Sequence, residues 1–248
     1  MSSRNCLLQK LANSQWGAKA STLRTTALAL CYSTAEYCSP VWYQSAHAHK
    51  IDAELNRTCR TITGTLRPTP VEMVHRLAGI APPAIRRDIA ARKEKTKQLS
   101  DSRHPLYNHT APTSRLPTRK SFSTTTRELS MNETPINART AAWKNQHSVH
   151  RSYTSPVQPP MESLPPGHSL PRRDWCVLNR ARTGVGRTGD NMVKWGISDQ
   201  AGCPCGAETQ TMTHCLQECT LSTHCNTFDL QQVTPLFMNW LSVWRDKL

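Results

Sequence analysis

The sequence CPCGAETQTMTHCLQEC, residues 203–219, contains four cysteines and a histidine within seventeen positions. Thiolate sulfur and imidazole nitrogen are the usual ligands of structural zinc sites, which take four of them in a tetrahedron. A bound zinc ion contributes on the order of 10 kcal/mol to the folding of a small element that lacks a core. A metal held by this stretch would therefore fix the fold of the chain around it.

The spacing indicates which four side chains share the ion. Cys203 and Cys205 flank a single proline, and Gly206 tolerates the backbone angles that aim both thiolates at one point. His214 and Cys219 lie five residues apart, which is more than one helical turn but within reach of a shared ion. The pattern C-x-C-x8-H-x4-C predicts one zinc ion bound by these four side chains.

Three neighbouring side chains are alternative ligands: Cys215, His224 and Cys225. Cys215 follows His214 directly, so on a helix its side chain points about 100° away, and we expect it to pack inward. A C-x-C spacing is less specific than a paired C-x2-C pattern, so the sequence argues more strongly for a metal than for one set of ligands.

The chain of 248 residues is strongly basic. It has 31 lysine and arginine residues against 17 acidic residues, which gives a formal net charge of +14, and only 37% of its residues are hydrophobic. A positive field of this size attracts polyanions, and nucleic acid is the commonest of them. We therefore expect nucleic acid as a partner, contacted mostly through phosphates. We also expect no small-molecule substrate.

The ten cysteines and the lack of membrane signals predict an intracellular protein. Residues 1 to 30 have no continuous apolar segment of the kind found in signal peptides, and no run approaches eighteen apolar residues. Cysteine and histidine clustered in an intracellular chain favour metal binding over disulfides. We expect no membrane contact, and the nucleus as the compartment.

Composition divides the chain into three regions and predicts a mainly α fold. Residues 1–100 carry helical periodicity and predict a small helical domain. Residues 101–170 are rich in Ser, Thr and Pro and poor in large apolar residues, so they predict a long disordered, basic linker. Residues 171–248 regain the pattern and predict a small helical zinc-binding domain.

Apolar spacing locates the individual helices. From Ser21 to Ser39 apolar residues recur every three or four positions, and Pro40 should end that helix at Ser39. A brief helical turn is expected around Trp143 within the linker. Further helices are expected at 51–62 with Gly64 as the C-cap, at 70–78, 83–99 and 174–182, at 190–195, and in one closing amphipathic stretch from Phe228 to Trp244.

The stretch GVGRTG, residues 184–189, matches the dinucleotide-binding pattern G-x-G-x-x-G. That motif follows a buried strand, whereas the residues before Gly184 have a helical pattern, so we interpret these glycines as a turn between two helices. Basic side chains around the turn and on the first region are candidates for phosphate contacts. They are Arg180, Arg182, Arg187, Lys194, Arg86, Arg87, Arg92 and Lys93.

The segment from 201 to 248 contributes little positive charge. It has only Arg245 and Lys247 against four acidic residues, so the metal element should not be the main electrostatic contact. No catalytic set is predicted either. Nucleotidyl transfer needs carboxylates gathered around Mg²⁺, but the acidic residues are dispersed and no two aspartates are adjacent.

Several long segments resemble the region after the polymerase palm in non-LTR retrotransposon reverse transcriptases of the jockey-like kind. The N-terminal segments are LANSQWGAKASTLRTTALALCYSTAEYCSPVW at 11–42, IDAELNRTCRTITGTLRPTP at 51–70 and GIAPP at 79–83. The C-terminal segments are LNRARTGVGRTG at 178–189, KWG at 194–196, and CPCGAETQTMTH at 203–214 with Cys219. The resemblance covers both ends of the chain and omits the linker.

The resemblance implies a helical thumb over the first region and a role in handling the RNA template and target DNA. The family's Cys-Cys-His-Cys element falls on Cys203, Cys205, His214 and Cys219, the set that the spacing selects. This chain departs from the family because it contains neither the palm with its paired aspartates nor an endonuclease. We therefore expect a nucleic-acid-binding C-terminal portion of an RNA-directed DNA polymerase without activity of its own.

Two other functional interpretations remain. The metal cluster could bind a protein partner, which would make the chain a zinc-dependent interaction module. Alternatively, the reading frame could be a decayed copy without function. Salt dependence distinguishes a phosphate-driven binder from a protein-binding module, because only the former loses affinity linearly with the logarithm of the salt concentration.

Overall fold

The computed structural model describes residues 1–13, 16–109, 126–130, 132–147 and 159–248. These residues are mainly helical and contain no β-strand, which confirms the predicted mainly α class. The rest of the expected disordered linker, at 110–125, 131 and 148–158, lies outside the described residues. None of the described helices has the length and apolar character that crossing a membrane requires.

Six helices build the first region, with a long central helix that the others surround. The central helix, α4, contacts α1, α2 and α5. Its inward face carries Leu55, Cys59 and Ile62, all at most 1% exposed. The helices are α1 (Ser2–Leu11), α2 (Ala20–Ala27), α3 (Ser39–Trp42), α4 (Ala48–Thr63), α5 (Val71–Ala78) and α6 (Pro83–Ser100).

The helix predicted to reach Ser39 ends earlier. After α2 the chain continues through a π-helical turn at Leu28–Tyr32 and a last turn at Ser33–Ala35. Cys38 then adopts a left-handed conformation with φ 51°. Its side chain is exposed and does not extend the apolar face predicted for residues 21–39. Pro40 does not stop the long helix but lies in the first turn of α3, where its missing N–H has no helical partner to lose.

A helix from Pro135 to His147, α7, lies inside the segment that was expected to be a flexible linker. It packs on α6, where Trp143 and Ala138 are buried against Ile85 and Ile89. The turn predicted around Trp143 is thus part of a longer helix. The apolar partners of this segment lie far away along the chain, so its local composition does not reveal them.

Five helices form the C-terminal region around a core rich in tryptophan. Trp175, Trp240 and Trp244 are fully buried, and the ring of Phe237 stacks on Trp240 with the centroids 5.7 Å apart. The helices are α8 (Arg172–Thr183), α9 (Gly189–Lys194), α10 (Met212–Gln217), α11 (Thr227–Gln232) and α12 (Pro235–Trp244).

The single closing helix expected from Phe228 to Trp244 is instead two helices. Val233 ends α11 in a left-handed conformation with φ 58°, and Pro235 starts α12 at its first turn. Thr234 caps α12, because its hydroxyl accepts a hydrogen bond from the amide of Phe237. The apolar residues of the two short helices therefore enter the core from different directions.

The first and third regions are in direct contact. Helix α8 crosses the C-terminal end of α4, so closely that a Cβ atom on Gly64 would lie 2.1 Å from the Cys176 sulfur. Gly64 is the predicted C-cap of α4 and has φ 71°, a conformation that favours glycine. Glycine is required here both for the turn and for the close approach of α8.

Candidate metal centre

Four side chains converge at one point on the C-terminal region. The ligand atoms of Cys203, Cys205, His214 and Cys219 all lie within 4.8 Å of one another. The Cys203 and Cys219 sulfurs are 3.7 Å apart, and the Cys205 sulfur is 3.2 Å from Nε2 of His214. Two sulfurs bound at about 2.3 Å in a tetrahedron are themselves about 3.8 Å apart, so these residues fit a tetrahedral ion.

A tight turn positions the sulfur atoms of Cys203 and Cys205. The amide of Gly206 donates to the carbonyl of Cys203 over 2.9 Å, and Gly206 itself has φ 97°. The amide of Cys203 donates to the carbonyl of Ala207 over 2.9 Å, which closes the turn. A residue with a β-carbon at position 206 would be strained in this conformation.

Helix α10 supplies the histidine. The Thr211 hydroxyl accepts a hydrogen bond from the amide of His214 over 3.0 Å and so caps the helix. Nε2 of His214 faces the cluster, while Nδ1 lies 3.5 Å from a carboxylate oxygen of Glu218. A carboxylate on the outer ring nitrogen is a common arrangement around metal-bound histidines, because it orients the ring.

Cys219 completes the set just after α10. Its amide donates to the carbonyl of His214 over 2.8 Å, which returns the chain toward the cluster. The side-chain amide of Gln210 lies 3.7 Å from the Cys203 sulfur, while its carbonyl oxygen accepts from the amide of Gly189 over 2.8 Å. Gln210 thus links the cluster to the start of α9.

The thiols of the cluster differ in acidity. A hydrogen bond from the amide of Ala207, assisted by contacts with the other ligands, lowers the pKa of Cys205 to about 7. Burial raises the pKa of Cys219 to about 11. Of these two thiols, Cys205 more readily supplies a thiolate near neutral pH, and Cys219 would lose its proton mainly through binding a cation.

The alternative ligands lie outside this cluster. Cys215 is fully buried in the tryptophan core, as the helical geometry predicts, and burial raises its pKa to about 12. Cys225 is also buried in that core, whereas His224 is exposed. The structure thus brings together the four side chains that the spacing selected.

Two arginines predicted to contact phosphates serve as internal ties. Arg182 donates from Nε to the carbonyl of Leu230 over 3.0 Å and from Nη2 to that of Pro166 over 2.8 Å. Burial lowers its pKa to about 9. Arg180 donates to the main-chain oxygens of Gly64 and Leu248. Arg182 is therefore part of the fold rather than a surface contact.

The arginines of α6 are also engaged within the chain. Arg87, only 5% exposed, pairs with Asp52 and lies 5.4 Å from the centre of the Trp42 ring. Arg86 forms a two-pronged ion pair with Glu36, and Arg92 pairs with Glu133 at 3.2 Å. These three residues fasten α6 to its neighbours.

The remaining candidates are at the surface. Lys93 and Arg187 are exposed, and Lys194 is exposed while pairing with Asp190 over 2.7 Å. The glycine turn joins α8 to α9, as predicted. The Gly189 amide already donates to the side chain of Gln210. An anion at this turn would therefore meet the side chain of Arg187 rather than a full set of free amides.

Sequence reasoning missed a buried polar network in the first region. The Tyr32 hydroxyl lies 3.1 Å from the Cys59 sulfur, which is 3.6 Å from Nδ1 of His75. Nε2 of His75 is 2.8 Å from Oδ1 of Asn56, and Nδ1 is 3.2 Å from the carbonyl of Ile80. Cys59, His75 and Asn56 lie on two helices, and no short motif joins them.

This network is not a nucleophilic site. Cys59 is fully buried and His75 is 1% exposed, so a substrate cannot reach either. Burial raises the pKa of Cys59 to about 12 and lowers that of His75 to about 4, which favours a neutral thiol beside a neutral imidazole. The network joins the π-helical turn that follows α2 to α4 and α5 in the core.

Comparison of the chain with models of known protein families, with curated proteins and with solved structures gave no match.

Proposed function

We propose that the chain is the nucleic-acid-binding C-terminal portion of a non-LTR retrotransposon RNA-directed DNA polymerase, with thumb-like helices and a zinc element. The observation that carries this proposal is the four-residue cluster. Its ligands are the residues onto which the family's Cys-Cys-His-Cys element falls, and they also lie in tetrahedral reach of one ion. The proposal gives the chain an intracellular, nuclear location, where target DNA is found.

Zinc is the metal that this ligand set suits best. Three thiolates and one imidazole in a tetrahedron are typical of structural zinc, and soft ligands of this kind disfavour magnesium and calcium. All four positions would be filled by protein, so no position would remain for a reacting water. The element would act as a folding clip that holds α9 and α10 against the tryptophan core.

The polyanion partner follows from charge. The formal net charge of +14 already counts every acidic side chain, so internal ion pairs do not reduce it, and Lys93, Arg187 and Lys194 are exposed. Contacts of this type are made to phosphates and carry little sequence preference. The proposed chain therefore holds a template or target strand without reading its bases.

The experiment is equilibrium binding of the purified chain to unrelated single-stranded RNA, duplex DNA and an RNA–DNA hybrid at several chloride concentrations. We expect similar affinities for unrelated sequences and a linear fall of log affinity with log salt. Absence of binding at low salt, or an affinity that salt does not change, would contradict the proposal.

One observation favours a second candidate, a zinc-dependent protein-interaction module. Leu221, Phe228 and Leu236 follow the metal cluster closely in sequence and are 43%, 63% and 49% exposed. Contiguous exposed apolar patches are typical of protein contact sites, and these three side chains are the candidates for such a patch beside the cluster. Under this candidate the chain would bind a protein with little salt dependence, and Phe228→Ala would weaken that binding without affecting nucleic acid.

A further inference from the structure

A concave cleft of about 210 Å³ lies between α8, the glycine turn and residues 245–248. It belongs neither to the metal cluster nor to the buried network. Its charged lining is almost entirely basic and consists of Arg173, Arg180, Arg187, Arg245 and Lys247, with Asp246 as the one acidic side chain.

Two of the five basic side chains are neutralised by carboxylates. Arg245 makes a two-pronged ion pair with Asp174, at 2.7 and 2.9 Å, and Asp174 is only 3% exposed. Arg173 pairs with Asp246. These pairs shape the walls of the cleft and add little net charge to it.

Of the other three cations, Arg180 is paired with the α-carboxylate of Leu248, the last residue, whereas Arg187 and Lys247 have no acidic partner among the described residues. Arg180 donates to the main-chain oxygens of Gly64 at 3.3 Å and Leu248 at 2.6 Å. Arg187 is exposed and makes no hydrogen bond or ion pair with the described part of the chain. The ammonium group of Lys247 lies 5.3 Å from the centre of the Trp244 ring.

Arg180 and Arg187 lie close enough to repel each other. Burial lowers the pKa of Arg180, and the neighbouring positive charge of Arg187 contributes to the same shift. Arg187 and Lys247 leave two positive charges at this small cleft without a carboxylate partner, which costs electrostatic free energy that an anion placed between them would offset. Guanidinium groups present paired N–H donors that match the oxygens of a phosphate.

We propose that this cleft binds a dianionic phosphate, the terminal phosphomonoester of a nucleic-acid strand. A terminal phosphate carries up to two negative charges against one for an internal diester, which matches the surplus of cations better. An internal phosphate has a sugar on both sides and fits a concave site less well than a strand end does. The identity of the strand rests on the proposed function, whereas the choice of a phosphate anion rests on the cleft alone.

The test compares two RNA strands of one sequence, with a 5′-phosphate or a 5′-hydroxyl, in a phosphate-free chloride buffer. We expect the wild-type chain to bind the phosphorylated strand about tenfold more tightly, the effect of an added charge-assisted hydrogen bond or two. Arg187→Ala and Lys247→Ala should each reduce that ratio toward one, and Arg187→Lys should retain part of it. Arg127→Ala removes another exposed arginine, outside the cleft, and should leave the ratio unchanged.

A second measurement separates failure of the site from failure of the proposed function. Inorganic phosphate alone should raise the melting temperature of the wild-type chain, relative to chloride of equal ionic strength, and should not do so for Arg187→Ala. Equal affinity for both strands, with salt-dependent binding retained, overturns the cleft and leaves the proposed function intact. If neither strand binds but phosphate stabilises the wild type alone, the site stands and the nucleic-acid function fails.

Discussion

Arg172 of α8 donates a hydrogen bond from Nη1 to the carbonyl oxygen of Ile62, in the last turn of α4, over 2.6 Å. The last carbonyls of a helix have no partner within the helix. Side chains of α8 fill this need, because Trp175 also donates to Ile62 at 3.1 Å and Asn179 donates to Thr63 at 2.8 Å. One helix thus caps another and joins the first region to the C-terminal region that contains the Cys/His cluster.

Arg172→Ala should lower the free energy of unfolding by about 3 kcal/mol, because the carbonyls of Ile62 and Thr61 each lose a donor and a cavity opens. Arg172 is 5% exposed, so solvent cannot replace the lost contacts. Urea denaturation measures the effect. Arg173→Ala is the control. Arg173 pairs with the exposed Asp246, so its removal should cost less than about 1 kcal/mol. Equal losses for both variants would exclude a capping role for Arg172.

The chain purified without chelator should contain one zinc ion per molecule by elemental analysis. His214→Ala and Cys219→Ser should abolish stoichiometric zinc, because each removes one of four ligands. Cys38→Ser removes an exposed cysteine outside the cluster and should retain the metal. Unchanged zinc content in His214→Ala would show that the ligand set is wrong.

Removal of the metal should be visible in tryptophan fluorescence. The indole N–H of Trp240 donates to the carbonyl of Cys215 over 2.7 Å, so the core is bonded to the helix that carries His214. A chelator should shift the emission to longer wavelength as this core takes up water, and added zinc should reverse the shift. A spectrum unaffected by complete metal loss would mean that the core folds without the clip.

Acid should destabilise the fold through His75. Its pKa is about 4 in the folded chain, because of burial, and about 6.5 when unfolded. The unfolded chain therefore binds a proton between these values that the folded chain does not. The contribution of neutral His75 is complete above pH 6.5 and falls by about 3 kcal/mol as the pH drops toward 4.

Unfolding free energies at pH 7 and pH 4.5 measure this effect, and His75→Gln should show a smaller pH dependence than the wild type. His49→Gln, at an exposed position, should behave like the wild type. Because every variant keeps the same metal ligands, acid loss of the metal cancels in the comparison. Identical pH profiles for wild type and His75→Gln would refute the assignment.

Substitution of Lys93 should affect nucleic-acid binding, whereas substitution of Arg182 should affect folding. Lys93→Ala should leave folding unchanged, weaken binding to unrelated sequences about equally, and reduce the salt slope by about one. Arg182→Ala should instead lower the melting temperature, because two main-chain carbonyls lose their donor. A loss of affinity in Arg182→Ala at unchanged melting temperature would restore Arg182 as a surface contact.

Local patterns determined much of this molecule. The helix class, the C-cap at Gly64, the glycine turn at 184–189 and the four clustered Cys and His side chains all follow from spacings of a few residues. Such features depend on interactions within one or two turns of the chain, which periodicity and turn chemistry encode directly.

Only the tertiary structure decided what the charged and linker residues do. In the sequence, Arg182 and Arg87 cannot be told apart from exposed basic residues. Their partners in the fold, Leu230 and Asp52, are 48 and 35 residues away along the chain. Likewise, Trp143 finds its apolar neighbours on α6 rather than in its own segment. A side chain's burial depends on which distant residues pack around it, and a local window contains no information about them.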